Sequence, residues 1–495
     1  MIDGNVAYNA LRSHDPRFDG VFFVGVTSTG IYCRPICPAK TPKLENCRFF
    51  ESREAAEKSS FRPCLRCRPE LAPGNAPADS TRRIAYLIAR QLEEKLIRDG
   101  ANLEDIAQQF SIGSRQLRRI LQKEFGVSPI ELIQTRRLLL AKQLLTETRL
   151  PIIKVAFASG FSSLRRFNDA FIRHYKMPPT RLRKEVAKHE KDIDRMDAIT
   201  LQLSYRPPYD WPSLLEFLSA RMIKGVEHVT NESYLRTIRL GKHSGWIKVM
   251  NAPQKNALMV ELSYSLTPVL PTLLGRLRNM FDLNTRADLI IAQLMKDERL
   301  KNSLSKNPGL RLPGAFDGFE MAIRAILGQQ ITVKAATTIA CRFAVAFGEE
   351  LTTPFPELSL LSPQPERVAS ATVDDIAGLG IVSARAKSII ALAQAFVSET
   401  ISLDVGMSPE ITIKKLTELP GIGQWTAHYI AMRALHWPDA FPKEDIALRN
   451  NLGGVSPKQA EEMSQLWRPW RSYAVLHIWK NLKEERTLDF SSASE

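Results

Sequence analysis

The spacing of hydrophobic positions changes along this chain, and each change predicts a different architecture. From Thr81 to about Lys188, apolar residues recur every three or four positions with little glycine or proline inside the segments, which predicts an almost wholly helical domain. A charged run, KHEKDIDRMD at Lys188–Asp197, reads as a linker. Beyond it the pattern becomes alternating in ITLQLSYR, SYLRTIRL, GWIKVMN and ALMVELSYS, as expected for the strands of a small α/β domain reaching to about residue 305. Helical periodicity returns from Gly309 to about Lys483. At the other end, a cysteine-rich segment closes on a Pro/Ala/Gly-rich stretch, RPELAPGNAPADS at Arg68–Ser80, which reads as another linker. Four domains follow, at 1–75, 81–188, 199–305 and 306–485.

Composition adds little to this, since 44% hydrophobic and 24% charged residues are ordinary for a soluble globular chain. No apolar run approaches the roughly 18 residues of a membrane span, and the opening MIDGNVAYNALRSHDPRFDG lacks the basic-then-apolar pattern of a signal peptide. A cytoplasmic protein with no membrane partner is expected. Charge alters the picture more. Residues 1–190 hold 33 Lys+Arg against 20 Asp+Glu, so +13 of the net +15 lies in the first part of the chain. An excess concentrated in this way suits a polyanion, because each neutralised phosphate releases counterions.

Five of the six cysteines precede residue 68. Cys33 and Cys37 form C-x3-C, and 26 residues later Cys64 and Cys67 form C-x2-C. Two close pairs supply four thiolates to a tetrahedral ion, which favours zinc over calcium or magnesium. Cys47 has no close partner and reads as a packed core residue. The surrounding TSTGIYCRPICPAK and FRPCLRCRP closely resemble the N-terminal domain of Ada-type adaptive-response regulators. That resemblance implies that Cys33 is both a zinc ligand and the acceptor of a methyl group from a methylphosphotriester in DNA. A zinc-bound thiolate is the nucleophilic form of the sulfur. Arg34, Arg62, Arg66 and Arg68 surround the pairs and could hold the DNA backbone or simply be solvated surface.

ANLEDIAQQFSIGSRQLRRILQKEFG reads as a helix, a tight turn through Ser111–Gly113, and a second helix capped by Ser114. Arg115, Gln116, Arg118 and Arg119 fall early in that second helix, where side chains reach base edges and phosphates. A second copy, LPIIKVAFASGFSSLRRFNDAFIRHYKMPP, turns at Ser159–Phe161 and opens its recognition helix with Ser162, Ser163, Arg165 and Arg166. Two such units joined by the helix RRLLLAKQLLT resemble the AraC-type DNA-binding domain.

Near the other end, LTELPGIGQWTAHYIAMRAL is a helix end, a Pro-Gly-x-Gly turn and a new helix. Gly421 and Gly423 lack a Cβ, so the turn can approach a phosphate that faces the amides opening the next helix. About 20 residues later comes WPDAFPKEDIALRNNLG, and the two segments together resemble the helix-hairpin-helix glycosylase superfamily. Including LQLSYRPPYDWPSLLEFLSAR, GLRLPGAFDGFEMAIRAILGQQIT and WRPWRSYAVLHIW, the match is similar to 3-methyladenine DNA glycosylase II along about 290 residues. The resemblance places the essential Asp at Asp445, with Glu444 as the alternative. Aromatic residues at four-residue spacing, such as Trp425 and Tyr429, are on spacing alone more often plain core. The resemblance assigns them, with Trp479 and Phe217, to the pocket for a flipped base, whose alkylated ring is cationic and attracted to aromatic faces.

Departures from the superfamily pattern also carry information. Members that cut the DNA backbone have a Schiff-base lysine where this chain has Trp425, and some carry a four-cysteine iron–sulfur cluster; neither is expected here. Gln330 stands where a leucine wedge enters the duplex, and Ile446 replaces a pocket tyrosine. No PCHR-type alkyl-acceptor motif occurs, and Cys341 is the only cysteine beyond Cys67.

The fold class is therefore multidomain α+β: a small zinc domain, an all-α double helix-turn-helix domain, a small α/β domain with an antiparallel sheet, and an all-α helix-hairpin-helix domain. The resemblances imply a bacterial, nucleoid-associated alkylation-damage protein. They imply one zinc, alkylated and promoter double-stranded DNA as partners, and RNA polymerase at the promoter. In the rival reading, a transcription regulator keeps its glycosylase half only to hold DNA.

Overall fold

The computed structural model describes residues 3–73, 84–89, 91–92, 103–110, 112–187, 198–404 and 406–492. The second linker, Lys188–Asp197, lies outside them, as do residues 74–80 of the first. Chain contacts separate two compact units: Met1–Pro207 with Leu240–Arg278 and Leu283–Arg286, and Pro208–Arg239 with Asn279–Asp282 and Ala287–Glu495. The sequence region 199–305 is thus shared between the units. The division arises because strands Ala198–Ser204, His243–Ala252 and Ala257–Ser263 belong to the first unit, while Pro208–Arg239 belongs to the second.

In the first unit, strands Phe23–Val26, Ile31–Cys33 and Cys47–Phe50 pair antiparallel, and Arg62–Pro63 adds in parallel to Ile31–Cys33. Alternation puts Val24 and Phe22 against the helix Gly4–Arg12, through Ala7, Ala10 and Leu11. Opposite them, Phe23 and Tyr32 pack with Ala56 and Phe61. The strand Ile31–Cys33 delivers Cys33 to its end.

The helical region contains Leu103–Gln109, Ser114–Phe125, Pro129–Glu147, Ile152–Ala158, Leu164–Tyr175 and Pro179–Ala187. Leu117, Leu121 and Phe125, at spacing four, are buried, which leaves the basic positions between them outside. Ser128 and Glu131 close a capping box on the long central helix Pro129–Glu147. Ser163 caps Leu164–Tyr175, but Ser114 does not act as a cap: Gly113 occupies that position and offers no side chain. The strands Ala198–Ser204, Ala257–Ser263 and His243–Ala252 form consecutive antiparallel pairs, with Leu201 opposite Val260 and Val260 opposite Val249.

The second unit is mostly helical. It also holds the short strand Glu227–Val229 on SYLRTIRL and a two-stranded pair, Glu349–Glu350 with Leu360–Leu361, which helical periodicity alone does not predict. Helices Gly318–Leu327 and Gln424–Arg433 are buried on most sides, being rich in alanine and isoleucine. No helix among the described residues is long and apolar enough to cross a membrane.

Candidate active site and metal centre

The strand Ile31–Cys33 and the turn after Arg62–Pro63 bring both cysteine pairs together. The sulfurs of Cys33, Cys37, Cys64 and Cys67 lie within 4.8 Å of one another. Cys47 stays outside the cluster, packed beside Ala7 and Phe22 and donating to the Lys43 carbonyl. Hydrogen bonds among the four thiols, above all those involving Cys33, pull Cys37 down to about 7 and Cys64 lower still, while mutual hydrogen bonds push Cys33 and Cys67 up. Four thiolates at this separation repel one another, so all four can be charged only with a cation among them. The set fits a thiophilic metal such as zinc.

Cys37, Cys64 and Cys67 are buried and Cys33 is partly covered; Cys33, Cys37 and Cys64 line a cavity of about 440 Å³ together with Arg62 and Arg66. The other two arginines are not free surface. Arg34 is buried, paired with Asp19, and donates to the Cys67 carbonyl. Arg68 bonds Glu70, Thr146 and Glu147.

On the helical part of this unit, Arg115, Arg118 and Arg119 project from Ser114–Phe125 into solvent, as Arg165 and Arg166 do from Leu164–Tyr175. Both helices therefore present basic first turns.

In the second unit, the turn between helices Pro409–Thr417 and Gln424–Arg433 carries Gly421 at φ +74°, and a Cβ there would meet the Ser388 hydroxyl at 2.2 Å. A Cβ on Gly423 would meet nothing, so that side of the turn is open to an external group. Leaving the turn, Trp425 and Tyr429 stack at 5.4 Å and 8°, and Trp479 meets Tyr429 edge-on at 6.3 Å. All three line a pocket of about 360 Å³, a volume suited to a small planar ligand.

Asp445 lies at its wall as the cap of helix Ile446–Asn451. Its Oδ1 accepts from the Leu448 amide at 2.7 Å and from Trp479 Nε1 at 3.3 Å, and its Oδ2 accepts from Trp425 Nε1 at 3.0 Å. Three N–H donors therefore fix one carboxylate facing an aromatic pocket. Glu444 does not line the pocket, and its Oε2 is buried without a hydrogen bond. Ile446 is 70% exposed and does not line the pocket. Gln330 is exposed at φ +56° in the loop after Gly318–Leu327.

Phe217 does not line the pocket. The guanidiniums of Arg221 and Arg433, which do, lie 3.8 and 4.6 Å from its ring centroid. Arg433 donates to Tyr429 Oη at 2.9 Å and has no carboxylate partner among the described residues. Burial alone would raise the Tyr429 phenol, but Arg433 and Arg221 hold it below its usual value. Sequence reasoning missed both arginines, although each follows its aromatic by four positions. It also missed Gln329, whose amide donates to the Gly421 carbonyl and to Thr426 Oγ1, both at 2.9 Å, tying the loop of Gln330 to the hairpin.

Four family descriptions match in order: the metal binding domain of Ada at 6–70, a helix-turn-helix domain at 106–185, the AlkA N-terminal domain at 200–317, and the HhH-GPD superfamily of base excision DNA repair proteins at 323–472. A 3-methyladenine DNA glycosylase from Archaeoglobus fulgidus shares the fold, with a TM-score of 0.50 and 19% identity over 56% of this chain and 96% of that one. The DNA-3-methyladenine glycosylase 2 of Escherichia coli K12 is 36% identical over 277 residues, covering 56% of this chain and 95% of its own. The probable bifunctional transcriptional activator/DNA repair enzyme AlkA of Mycobacterium tuberculosis H37Rv is 36% identical over 485 residues, 96% of each chain. With these four family matches in the chain and a relative that is 36% identical nearly end to end, the chain belongs to the AlkA family of bifunctional transcriptional activator/DNA repair enzymes.

Proposed function

We propose that this protein excises alkylated bases such as 3-methyladenine and 7-methylguanine from DNA through residues 199–485, as a glycosylase without lyase activity, and regulates transcription through residues 1–188. One observation carries the catalytic reading: the Asp445 carboxylate, held by three N–H donors, faces a pocket walled by Trp425, Tyr429 and Trp479. A cationic alkylated base between aromatic faces is already a good leaving group. As the C1′–N bond breaks, its electron pair leaves with the base, and the oxocarbenium charge developing on the sugar is stabilised by Asp445. Water then adds to C1′ and its proton passes to bulk water, leaving an abasic site in an uncut strand. Among the described residues no lysine lines the pocket, and Trp425 stands at the hairpin position of the Schiff-base residue, which supports base release without an imine.

In the N-terminal part, Cys33, Cys37, Cys64 and Cys67 would hold one zinc, which would keep the thiolates charged at neutral pH. Cys33 is the one residue of the four that is not fully buried, and it shares the adjoining cavity with Cys37 and Cys64, so its place in the GIYCRPIC segment, more than its exposure, supports it as the methyl acceptor. Its sulfur bonds to the methyl carbon, the O–CH₃ bond breaks, and the phosphotriester becomes an anionic diester. Arg115, Arg118, Arg165 and Arg166 contact promoter DNA, where the bound protein meets RNA polymerase in the cytoplasm. Gly421, Gly423 and Gln330 contact damaged DNA.

Incubating the full chain with alkylated duplex tests the enzymatic reading. Free methylated base, an uncut abasic strand and no borohydride-trapped protein are expected. DNA binding without base release would leave only a regulator.

A further inference from the structure

The helix Pro129–Glu147 joins the two helix-turn-helix units, and it carries a lysine where a linking helix needs only apolar or exposed residues. Lys142 is 1% exposed. Its ammonium donates to the backbone carbonyl of Cys64 at 3.1 Å and pairs with Glu70 Oε2 at 2.5 Å. Arg34 performs the matching task on the other member of the pair. It donates to the Cys67 carbonyl at 3.0 Å, offers its own amide to the Cys67 sulfur at 3.3 Å, and is neutralised by Asp19. The backbone carbonyls of both cysteines of C-x2-C are therefore held by buried cations, one of them supplied by the DNA-binding domain.

Burying an ammonium and a carboxylate costs several kcal/mol before their attraction offsets it, so a leucine at this position would pack more cheaply. What a leucine cannot do is fix the Cys64 carbonyl, and with it the direction in which the Cys64 side chain leaves the backbone. The same Glu70 takes a second bond from Arg68, whose guanidinium reaches Thr146 and Glu147 at the end of the same helix. The cysteine turn is thus fastened to that helix at two places one turn apart.

We infer that Lys142 is a positioning residue of the cysteine cluster and that, through it, metal retention and DNA binding are thermodynamically linked. The inference rests on the reading that the cluster holds zinc. Duplex DNA that engages both recognition helices restrains the helix between them, and so restrains Lys142 on the Cys64 carbonyl. Linkage is reciprocal, so DNA should tighten the hold on the metal by the same factor as the metal tightens the hold on DNA. Partners that orient metal ligands in this way are typically worth about 10–100-fold in metal affinity.

The test follows zinc release from the full-length, zinc-loaded protein into a chromophoric chelator, with and without saturating random-sequence duplex at low salt. In the wild type, DNA should slow release several-fold. Lys142→Met should release zinc about 10–100-fold faster, and DNA should no longer change its rate. A merely structural lysine would alter the melting temperature but leave the DNA effect in place. If wild-type release is the same with and without DNA, the linkage is overturned whether or not the variant folds. If Lys142→Met keeps the wild-type DNA effect, the assignment to Lys142 is overturned. Purified protein containing no zinc would instead bring down the metal reading itself, a result separable from both.

Discussion

Replacing Asp445 by asparagine preserves size while removing charge, and the surrounding hydrogen bonds set the size of the effect. Three donors converge on the carboxylate: the Leu448 amide and Trp479 Nε1 on one oxygen, Trp425 Nε1 on the other. An asparagine whose oxygen serves Leu448 and Trp479 must point its amide N–H at the Trp425 N–H, 3.0 Å from the atom it replaces. Helix Ile446–Asn451 keeps its cap, because asparagine caps as well as aspartate. One lost hydrogen bond in a partly open site should therefore cost the fold only about 1 kcal/mol. The transition state loses more: removing an electrostatic element preorganised for developing charge costs about 2.7–4 kcal/mol, or on the order of 100–1000-fold in rate. Single-turnover release of 7-methylguanine from alkylated duplex would measure this, with denaturant unfolding as the stability control and lesion-DNA affinity expected to change little. A near-normal rate in Asp445→Asn, with Glu444→Gln inactive, would refute the reasoning and move the role one residue back.

Trp425→Phe keeps the carboxylate charged and an aromatic wall in place but removes one donor to it. The rate should fall by roughly tenfold or more, from a charged hydrogen bond of about 1.5–3 kcal/mol. After incubation with methylphosphotriester DNA, mass spectrometry should find a single added methyl on Cys33; methyl on Cys37, Cys64 or Cys67 would show that the acceptor is misassigned. Arg118→Ala and Arg165→Ala should each weaken duplex binding and lower the slope of log affinity against log salt by about 1, an effect that titrations at several salt concentrations would resolve. His477, buried against Ser303, has its pKa pushed down to about 4 by burial. Between that value and the unfolded value of about 6.5, the unfolded chain binds a proton that the native state does not, so stability falls as pH drops through this window. This histidine alone should account for about 3 kcal/mol, so unfolding midpoints at pH 7 and 4.5 should lie closer together in His477→Gln than in wild type.

Periodicity and spacing determined what is local in this protein. The alternation in SYLRTIRL became the strand Ser233–Leu240 without adjustment, and the three- and four-residue spacing of Leu117, Leu121 and Phe125 became the buried stripe of a helix whose arginines face outward. C-x3-C and C-x2-C located the cluster because residues so close along the chain cannot be far apart in space, and only the meeting of the two pairs needed the fold. Tertiary structure decided the contacts that chain proximity does not constrain. Trp479 reaches Asp445 from 34 residues away, and Lys142 reaches the Cys64 carbonyl from 78, so neither partner announces the other in the sequence. The same holds for Arg34 and Arg68, which share the sequence surroundings of Arg62 and Arg66 but turn inward to Asp19 and Glu70. Side-chain type marks an arginine as able to hold a phosphate; whether a carboxylate or carbonyl from elsewhere in the chain has already claimed it depends on packing, because a buried guanidinium is costly unless such acceptors meet it.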